Sequence, residues 1–494
     1  MAITLRTVTG SALTYEQLDT NLSSYFYSAS YSSGVVTLFT TGSNESGSTV
    51  PAPASMSFVI PVISQWTGSA GVSTTNSQIQ ITGSLINGSG SISAPNNRFS
   101  HGEGFSTVAT GPFSHAEGAN SESTATGSHA EGYTTTAAAS YAHSEGAFTQ
   151  ANGDYSHAEG NGSIATGSYS HAEGATTTAI GDYSHTEGKG STTPGAYSHA
   201  EGDNAVASGI ASHAEGRNTN SSGLTSHAEG YGSIAVGDYS HAEGQFTVAK
   251  GQSAHTEGYY TSASGESSHA EGYYTIATGS YSHAEGDNTL ASGESSHAEG
   301  NSVISTGTWS HAEGQLTQAI GIGAHAEGDQ TIALGNFSHV EGQSTTTSGS
   351  WAHAEGFETI ARGDYSHAEG DSSISSGQYS HAEGYTTIAS GAYSHAEGNN
   401  TIALGSYQHV TGRYNITSSA QSAFIIGNGT GIGGSRSNLL FASGSTVQVT
   451  GSLNVTGSLT IKGAPSYIYM NDVSGTLYRV SIAPGGILTV DTLS

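Results

Sequence analysis

The sequence has no cysteine, which excludes disulfides as a source of stability and thiolate centres as metal sites. It has little positive charge. Lysine and arginine total ten against 39 acidic residues, a formal charge of −29. The ten are scattered from Arg6 to Arg479, so there is no basic patch, and neither nucleic acid nor an anionic membrane is an expected partner. Apolar residues make up 34%, below the roughly 45–50% of ordinary domains, which argues against a thick Leu/Ile/Phe core. Charged residues are only 10%, too few for a chain kept disordered by charge. No stretch of about 18 apolar residues occurs, so no membrane helix is expected. Met1 to Asn21 holds no apolar run of the secretory type, so no secretory signal is expected either.

What the chain has in quantity is glycine, 70 residues, and one phrase, Ser-His-Ala-Glu-Gly. The phrase stands in clean form at Ser114 to Gly118 and Ser156 to Gly160 and recurs with small changes as far as Gln408 to Gly412. From His101 to His409 the step is always 14 residues, so 22 steps give 23 copies and account for all 23 histidines. A glutamate follows two residues later, from Glu103 to Glu397, failing only at Thr411, and a glycine follows three residues later in every copy. A fixed period without insertions is the mark of a repeat architecture.

Each repeat has a weaker half-period of seven. Phrases such as Thr275-Ile276-Ala277-Thr278-Gly279 follow the histidine phrase, and both halves fit x-x-[Ser/Thr]-x-Ala-x-Gly. Alternation with period two predicts a short strand in each half, and the closing glycine permits a positive-φ corner. The glycine four residues before the histidine is present in 20 of 23 copies and absent before His101, His129 and His143, so the first coils should be the least regular. Two strands and two turns per repeat describe one coil of a narrow β-solenoid. At the interstrand spacing the array would be a rod of about 105 Å. Small residues belong inside so thin a roll. His, Glu and the residue two before His belong outside. Such a roll buries too little apolar surface to stand alone, and a homotrimer with His/Glu faces near its axis is the simplest association.

The fold class expected is therefore all-β: a left-handed parallel β-roll of 14-residue coils, with small β domains at both ends. Residues 1–33 form an N-terminal attachment leader with a short helix at Leu13 to Leu22. Residues 34–95 form a small β domain and neck, with strands at Val35 to Thr41 and Met56 to Trp66 and an alternating run at Gln78 to Ile86. Residues 96–412 are the array. Residues 413–463 make a transition and an intertwined β shaft, built on Val447 to Leu453 and its echo Val455 to Leu459. Residues 464–494 make a C-terminal tip, with strands at Tyr467 to Met470, Thr476 to Ile482 and Ile487 to Val490 joined as hairpins.

In period, half-period and small-residue positions, residues 101–412 resemble the head repeats of trimeric autotransporter adhesins, which carry a Ser-x-Ala-x-Gly phrase. The resemblance implies a trimer of left-handed parallel β-rolls; His and Glu stand where such heads usually have Val and Ile. The signal peptide and C-terminal membrane barrel of those adhesins have no visible counterpart here. The Ser-His-Ala-Glu-Gly wording, and the Phe424 to Thr430 stretch with Arg436-Ser437-Asn438 after it, are more similar to bacteriophage tail fibres. Leu13-Thr14-Tyr15-Glu16-Gln17-Leu18-Asp19 resembles N-termini of structural proteins from marine phages, including cyanophages. That likeness implies a virion-borne, extracellular fibre. Its N-terminus would meet other virion or baseplate proteins, and its tip would meet a host-surface receptor, a glycan among the options. No Ser-Asp-x-Arg-x-Lys phrase of a self-cleaving chaperone is present, so C-terminal processing is not expected.

Three chemical readings of the repeat compete. Catalysis fits badly, because active sites do not come as long arrays of near-identical copies, and His-x-Glu is not the helical His-Glu-x-x-His of zinc proteases. A metal ladder is open, since His and Glu on one strand face point the same way, but closed structural sites show a full ligand set with outer-shell partners. The preferred reading is a structural hydrogen-bond ladder in which imidazole donates to glutamate, within one chain or between chains, carried by His115, Glu117, His157, Glu159, His241, Glu243, His311, Glu313, His367 and Glu369. Pairing should raise the histidine pKa, and full protonation would bring the charge of −29 to −6. Neither metal nor cofactor is expected. The residue two before His is aromatic in 16 of 23 copies, Tyr155, Trp309, Phe337 and Trp351 among them. Packing between coils and chains is preferred there over a sugar-binding strip. An ice-binding reading of Thr-rich turns such as Thr176-Thr177-Thr178 is disfavoured, because threonine is simply a good strand residue. Receptor contacts, if at the tip, would come from Tyr467, Tyr469 and Tyr478. The expected function is a non-enzymatic tail fibre that projects a host-binding tip. A bacterial adhesin or purely structural extracellular fibre is the alternative.

Overall fold

The computed structural model describes residues 99–431 and 435–458. Outside these it describes residue 476 and the strands Phe26–Ser32, Val35–Thr40, Ser55–Val59, Gly71–Thr75, Gln78–Thr82, Leu85–Ser89, Ile92–Ser93, Ile468–Asn471, Leu477–Ala483 and Ile487–Leu493. The helix expected at Leu13 to Leu22 lies outside the described residues. Among the described residues there is no helix, and hence none long and apolar enough to cross a membrane.

The coil starting at His269 shows why the sequence winds as it does. His269–Tyr273 is the long strand. Tyr274 turns the chain with φ of 53°. Ile276–Ala277 is the short strand. The chain then turns through Gly279 and Ser280, and Tyr281 sends it back with φ of 59°. Four side chains per coil point inward: Ala270, Thr275, Ala277 and Ser282, none more than 1% exposed. The wall is thus lined by Ala, Ser and Thr. The serine hydroxyl closes the corner by donating to a carbonyl, Ser282 Oγ to Gly279 O at 2.6 Å. So little apolar surface is buried in each coil that backbone bonding carries the ladder. The strands donate to the following coil (His269 N to Ser282 O at 2.9 Å, Ile276 N to Thr289 O at 2.9 Å), and the left-handed corners donate to the preceding one (Tyr281 N to Glu266 O at 2.7 Å). Like residues stack: His269 pairs with His283, Ala270 with Ala284 and Glu271 with Glu285, in parallel. The solenoid of 14-residue coils is therefore as the sequence implied, with small residues inside and His/Glu outside.

The corners differ from expectation. The glycine after Glu does have positive φ, 112° at Gly272. The glycine before the serine has an ordinary φ and is favoured by the close approach of the next coil instead: with the backbone as it stands, a Cβ on Gly279 would lie 1.9 Å from the carbonyl oxygen of Gly293. The left-handed corner residues recur every seven positions, and most are not glycine: Tyr141, Phe148, Tyr155, Gly162, Tyr169, Thr176, Tyr183. The aromatic two before His is therefore a turn residue rather than part of the strand face that holds His and Glu. The early coils are also regular. Ala125 and Ala139 replace the crowded glycine, yet Ser128 N and Ala142 N still donate to their carbonyls at 3.3 Å, because an ordinary φ admits alanine. The long strand is shortened instead at His339–Val340, where the inward position holds a valine.

The chain forms two compact units, Met1–Tyr365 and Ser366–Ser494. The first opens with an antiparallel sheet of Phe26–Ser32, Val35–Thr40 and Ser55–Val59, then a hairpin of Gly71–Thr75 and Gln78–Thr82. Leu85–Ser89 already joins the ladder, parallel to His101–Phe105, so stacking starts ahead of the histidine lattice. The second unit holds the coils of His367, His381, His395 and His409. Phe424–Asn428 extends that ladder in parallel, and Asn438–Ser443 and Thr446–Val449 close it antiparallel. Where Ser stood inside, Gln408 now donates to the carbonyls of Ser418 and Ala420 at 3.1 and 3.3 Å. Ile425 and Phe441 supply the larger apolar plug that the narrow coils lack. Residues 451–458 carry no strand and are exposed, so only Thr446–Val449 of the expected shaft is a strand within one chain. At the end, Ile468–Asn471, Leu477–Ala483 and Ile487–Leu493 form an antiparallel sheet.

Candidate functional site

The outward face of the long strand is a pair of ladders. Imidazole rings stack coil upon coil with centroids 4.6 Å apart from His115 to His129, 4.7 Å from His143 to His157 and 4.7 Å from His227 to His241. Glutamate stands beside each. Nε2 to Oε2 distances are 3.5 Å from His115 to Glu117, 3.7 Å from His157 to Glu159, 3.6 Å from His311 to Glu313 and 3.5 Å from His367 to Glu369. These are ion-pair distances rather than good hydrogen bonds; His297 to Glu299 at 3.4 Å is a hydrogen bond, and a long one.

Within one chain, the contacts of Glu243, Glu313 and Glu369 with their own histidines are ion pairs or none, not short hydrogen bonds. Glu243 forms no ion pair with His241 among the described residues. Its carboxylate does act to raise the pKa of His241, but burial and the neighbouring His255 outweigh it. Glu313 stays at 3.6 Å from His311, with its side chain 49% exposed, so water competes for the carboxylate. Glu369 stays at 3.5 Å from His367 and instead shares a hydrogen bond with Glu383 of the following coil. The reason is common to all three. Residues two apart on one strand face are separated by about 6.6 Å of backbone rise, while the like residue of the next coil is only about 4.8 Å away. Contacts along the stack therefore compete with contacts within the coil. His241 and Glu243 lie in a run of five coils, those of His199, His213, His227, His241 and His255. The histidines of this run form no ion pair among the described residues, and their Nε2 atoms are buried without a hydrogen-bond partner.

The electrostatics run opposite to the expected direction. Wherever a histidine is displaced, its pKa goes down. Burial is the first cause in every case. For most, among them His129, His157, His199, His227 and His381, the second is the neighbouring histidines, a repeated like charge. His227 and His269 fall to about 4. Glu159 and Glu187 are raised, first by burial and then by the glutamates of adjacent coils, and Glu383 by burial and then by a hydrogen bond with Glu397. Glu397 is lowered, because the Thr411 hydroxyl donates to it. Burial, joined by a like charge repeated every coil, outweighs the opposite charge within the coil at these histidines and biases them toward the neutral form.

Groups such as His115/Glu117/His129 and His157/Glu159/His171 bring three potential donors within 4.8 Å of one another. Each group offers three donors, one short of the four-coordinate set of a closed structural zinc site.

The turn before each histidine carries the aromatic stripe. Tyr141, Tyr155, Tyr169, Tyr183 and Tyr197 stack face to face with centroids 4.8–5.0 Å apart. Phe337, Trp351 and Tyr365 do so at 5.1–5.4 Å. In these runs the ring faces are covered by neighbours, as packing requires, and mainly edges meet solvent. The other left-handed corner carries a cluster that sequence reasoning missed: Tyr231 with Phe246, and Tyr259, Tyr260, Tyr273 and Tyr274, in mixed stacked and edge contacts. It follows no lattice period, so only scanning successive copies at these positions reveals it. At the tip, Tyr467 lies outside the described residues. Tyr469 pairs with Arg479 and Tyr478 with Met470, so the two tyrosines hold neighbouring rather than facing register positions. Arg479 is held by Asp491 at 2.8 Å.

A model of the YadA head domain repeat matches residues 146–170, 172–192, 200–219, 228–254, 257–282, 284–308, 312–338 and 382–407. The solenoid thus carries YadA-like head repeats, of the kind typical of trimeric adhesins. No curated protein matches the chain in sequence.

Proposed function

We propose that the chain is the subunit of a homotrimeric extracellular fibre, with no enzymatic activity, that holds a host-binding surface away from the particle or cell that bears it. The observation that carries this reading is the inversion of the coil. Its interior takes only Ala, Ser and Thr over most of the array, while large exposed rings and imidazoles with buried, unbonded Nε2 atoms, such as those of His227 and His241, lie on the outside. A stacked face of that kind wants a partner surface, and three copies supply it for one another, His/Glu faces toward the axis. Val447, Leu453 and Val455, exposed in one chain, would then be covered in a shaft intertwined among three. The YadA-like repeats support self-association, and three identical tips would add avidity.

On the wording of the repeat, the fibre is a phage tail fibre, joined through its N-terminal region to other virion or baseplate proteins, with the host receptor met by the tip or by the roll. The head-repeat match favours a bacterial surface adhesin equally. Immunogold labelling separates the two: gold on purified virions supports the tail fibre, and gold on intact cells from virus-free cultures supports the adhesin. For the fibre itself, mass photometry of the purified chain should give three times 49.9 kDa, and electron microscopy should show rods. A monomer at micromolar concentration would overturn the trimer.

A further inference from the structure

The aromatic stripe has vacancies. At three of them a single ring is missing between two others: Gly127 stands between Phe113 and Tyr141, Ser295 between Tyr281 and Trp309, and Gly323 between Trp309 and Phe337. At Gly127 and Gly323 the following ring leans over the glycine, with ring carbons 2.8 and 2.7 Å from where a Cβ would stand, so the vacancy that matters is the one without a glycine, at Ser295. All the residues involved hold the same left-handed corner, with φ of 59° at Tyr281, 53° at Ser295, 57° at Trp309, 60° at Gly323 and 55° at Phe337. The register is therefore unbroken and only the rings are absent. Unlike the stacked tyrosines, Tyr281 and Trp309 meet no other ring among the described residues, although their exposure, 57% and 63%, is close to the 50–62% of Tyr141 to Tyr197. At Ser295 the missing ring leaves the two aromatic corners about two coil rises apart, roughly 9.6 Å, enough for one further ring between them.

The rim of the Ser295 vacancy is polar. Glu294, Ser295, Ser280 and Thr308 adjoin it in sequence or in the coil beside it: Ser295 N donates to Ser280 O at 2.8 Å and Trp309 N to Glu294 O at 2.8 Å. Glu294 is exposed and makes no ion pair with any described residue. Apolar ring faces flanked by hydroxyls and a carboxylate acceptor match a pyranose, which offers C–H groups on its faces and hydroxyls at its edge; a purely aromatic ligand would leave the rim unused. The chain's charge of −29 disfavours acidic sugars. We propose that the Tyr281/Trp309 segment binds a neutral oligosaccharide, with one pyranose entering the Ser295 vacancy between the two rings. This deepens the host-binding reading of the fibre by naming a ligand class and placing it on the side of the roll.

The test uses the full chain against a panel of neutral tetrasaccharides built on glucose, N-acetylglucosamine, mannose and galactose, read by saturation-transfer NMR and by titration calorimetry. At least one member is expected to bind. Trp309→Ala should weaken it by about tenfold or more. Ser295→Tyr, which fills the vacancy with the residue the neighbouring corners already tolerate, should abolish occupancy of that slot while preserving the β circular dichroism of the parent. Tyr169→Ala, inside a continuous stack, should leave binding unchanged. No binding by any panel member at millimolar concentration overturns the proposal, as does equal binding by Ser295→Tyr, an equal loss in Tyr169→Ala, or binding of a planar aromatic dye at this site in place of sugars. None of these outcomes touches the trimer mass or the rods by which the fibre itself is judged.

Discussion

At the scale of single residues, crowding and like charge decide what each position tolerates. Gly272 combines φ of 112° with a carbonyl, that of Gly286, 2.1 Å from where a Cβ would stand. Gly272→Ala should therefore cost about 3 kcal/mol or more, from backbone strain and a contact that rigid neighbouring coils do not relieve; chemical denaturation measures it, and a cost under about 1 kcal/mol would refute the crowding argument. The histidines make a second prediction. Twelve of them have folded pKa values below the usual 6.5, about 4 at His227 and His269. The unfolded chain thus binds more protons between those values, and the stability that neutral histidine contributes is complete above about pH 6.5 and is lost as pH falls toward about 4. Raised glutamates work the other way, but only Glu159, Glu187 and Glu383 are raised, against twelve lowered histidines. Melting temperature should be flat from neutral pH to about 9 and fall on acidification through the histidine window. Imidazole NMR should show His227 titrating near 4; a midpoint above 6.5 would restore the paired-ladder picture.

At the scale of the element, the coil is the unit. Because every coil pairs like with like and contacts only its neighbours, stability approximates a sum of coil and interface contributions. Deleting the 14 residues 255–268 joins His241 to His269 in unchanged register, and the melting temperature should shift by only a few degrees. Deleting seven residues, 255–261, sets a long strand against a short one and turns the histidine phrase into the wrong corner. That variant should lose β circular dichroism locally and become protease-sensitive near the junction. Equal tolerance of both deletions would mean that the half-period, not the full coil, is the structural repeat.

At the scale of the whole molecule, the question is what covers the outward ladders. Small interiors cannot stabilise a long roll by apolar burial alone, so the cooperative unit should be the assembly. The melting temperature is expected to rise with protein concentration over the range in which mass photometry shows trimers giving way to monomers. A concentration-independent transition of a monomeric species would place the stability within single rolls and would leave the histidine face free for another partner.

Much of this was legible in the residues. A 14-residue lattice with small side chains on alternate positions admits little besides a narrow solenoid, since strand alternation fixes inside and outside within one coil. The pairing of Ala270 with Ala284 and the burial of Ser282 follow from that pattern alone. Other features depend on the gap between coils, which no single repeat encodes. The loose contacts of Glu243, Glu313 and Glu369 with their own histidines within one chain have this origin: the His-x-Glu phrase shows the neighbour within the coil and hides the one stacked in the next. Glu369 accordingly bonds to Glu383. The corner of Gly279 is set by a carbonyl belonging to the next turn of the chain. The pKa of His227 is set by burial and then by His213 and His241, one coil away on either side. The vacancy at Ser295 acquires meaning only once the rings of the stripe are known to stack. The sequence by itself determined the coil, because local alternation and side-chain size suffice for that. The tertiary structure decided charge state, crowding and the open ring faces, because each arises from stacking identical groups less than 5 Å apart, as at His115 and His129 with 4.6 Å between centroids.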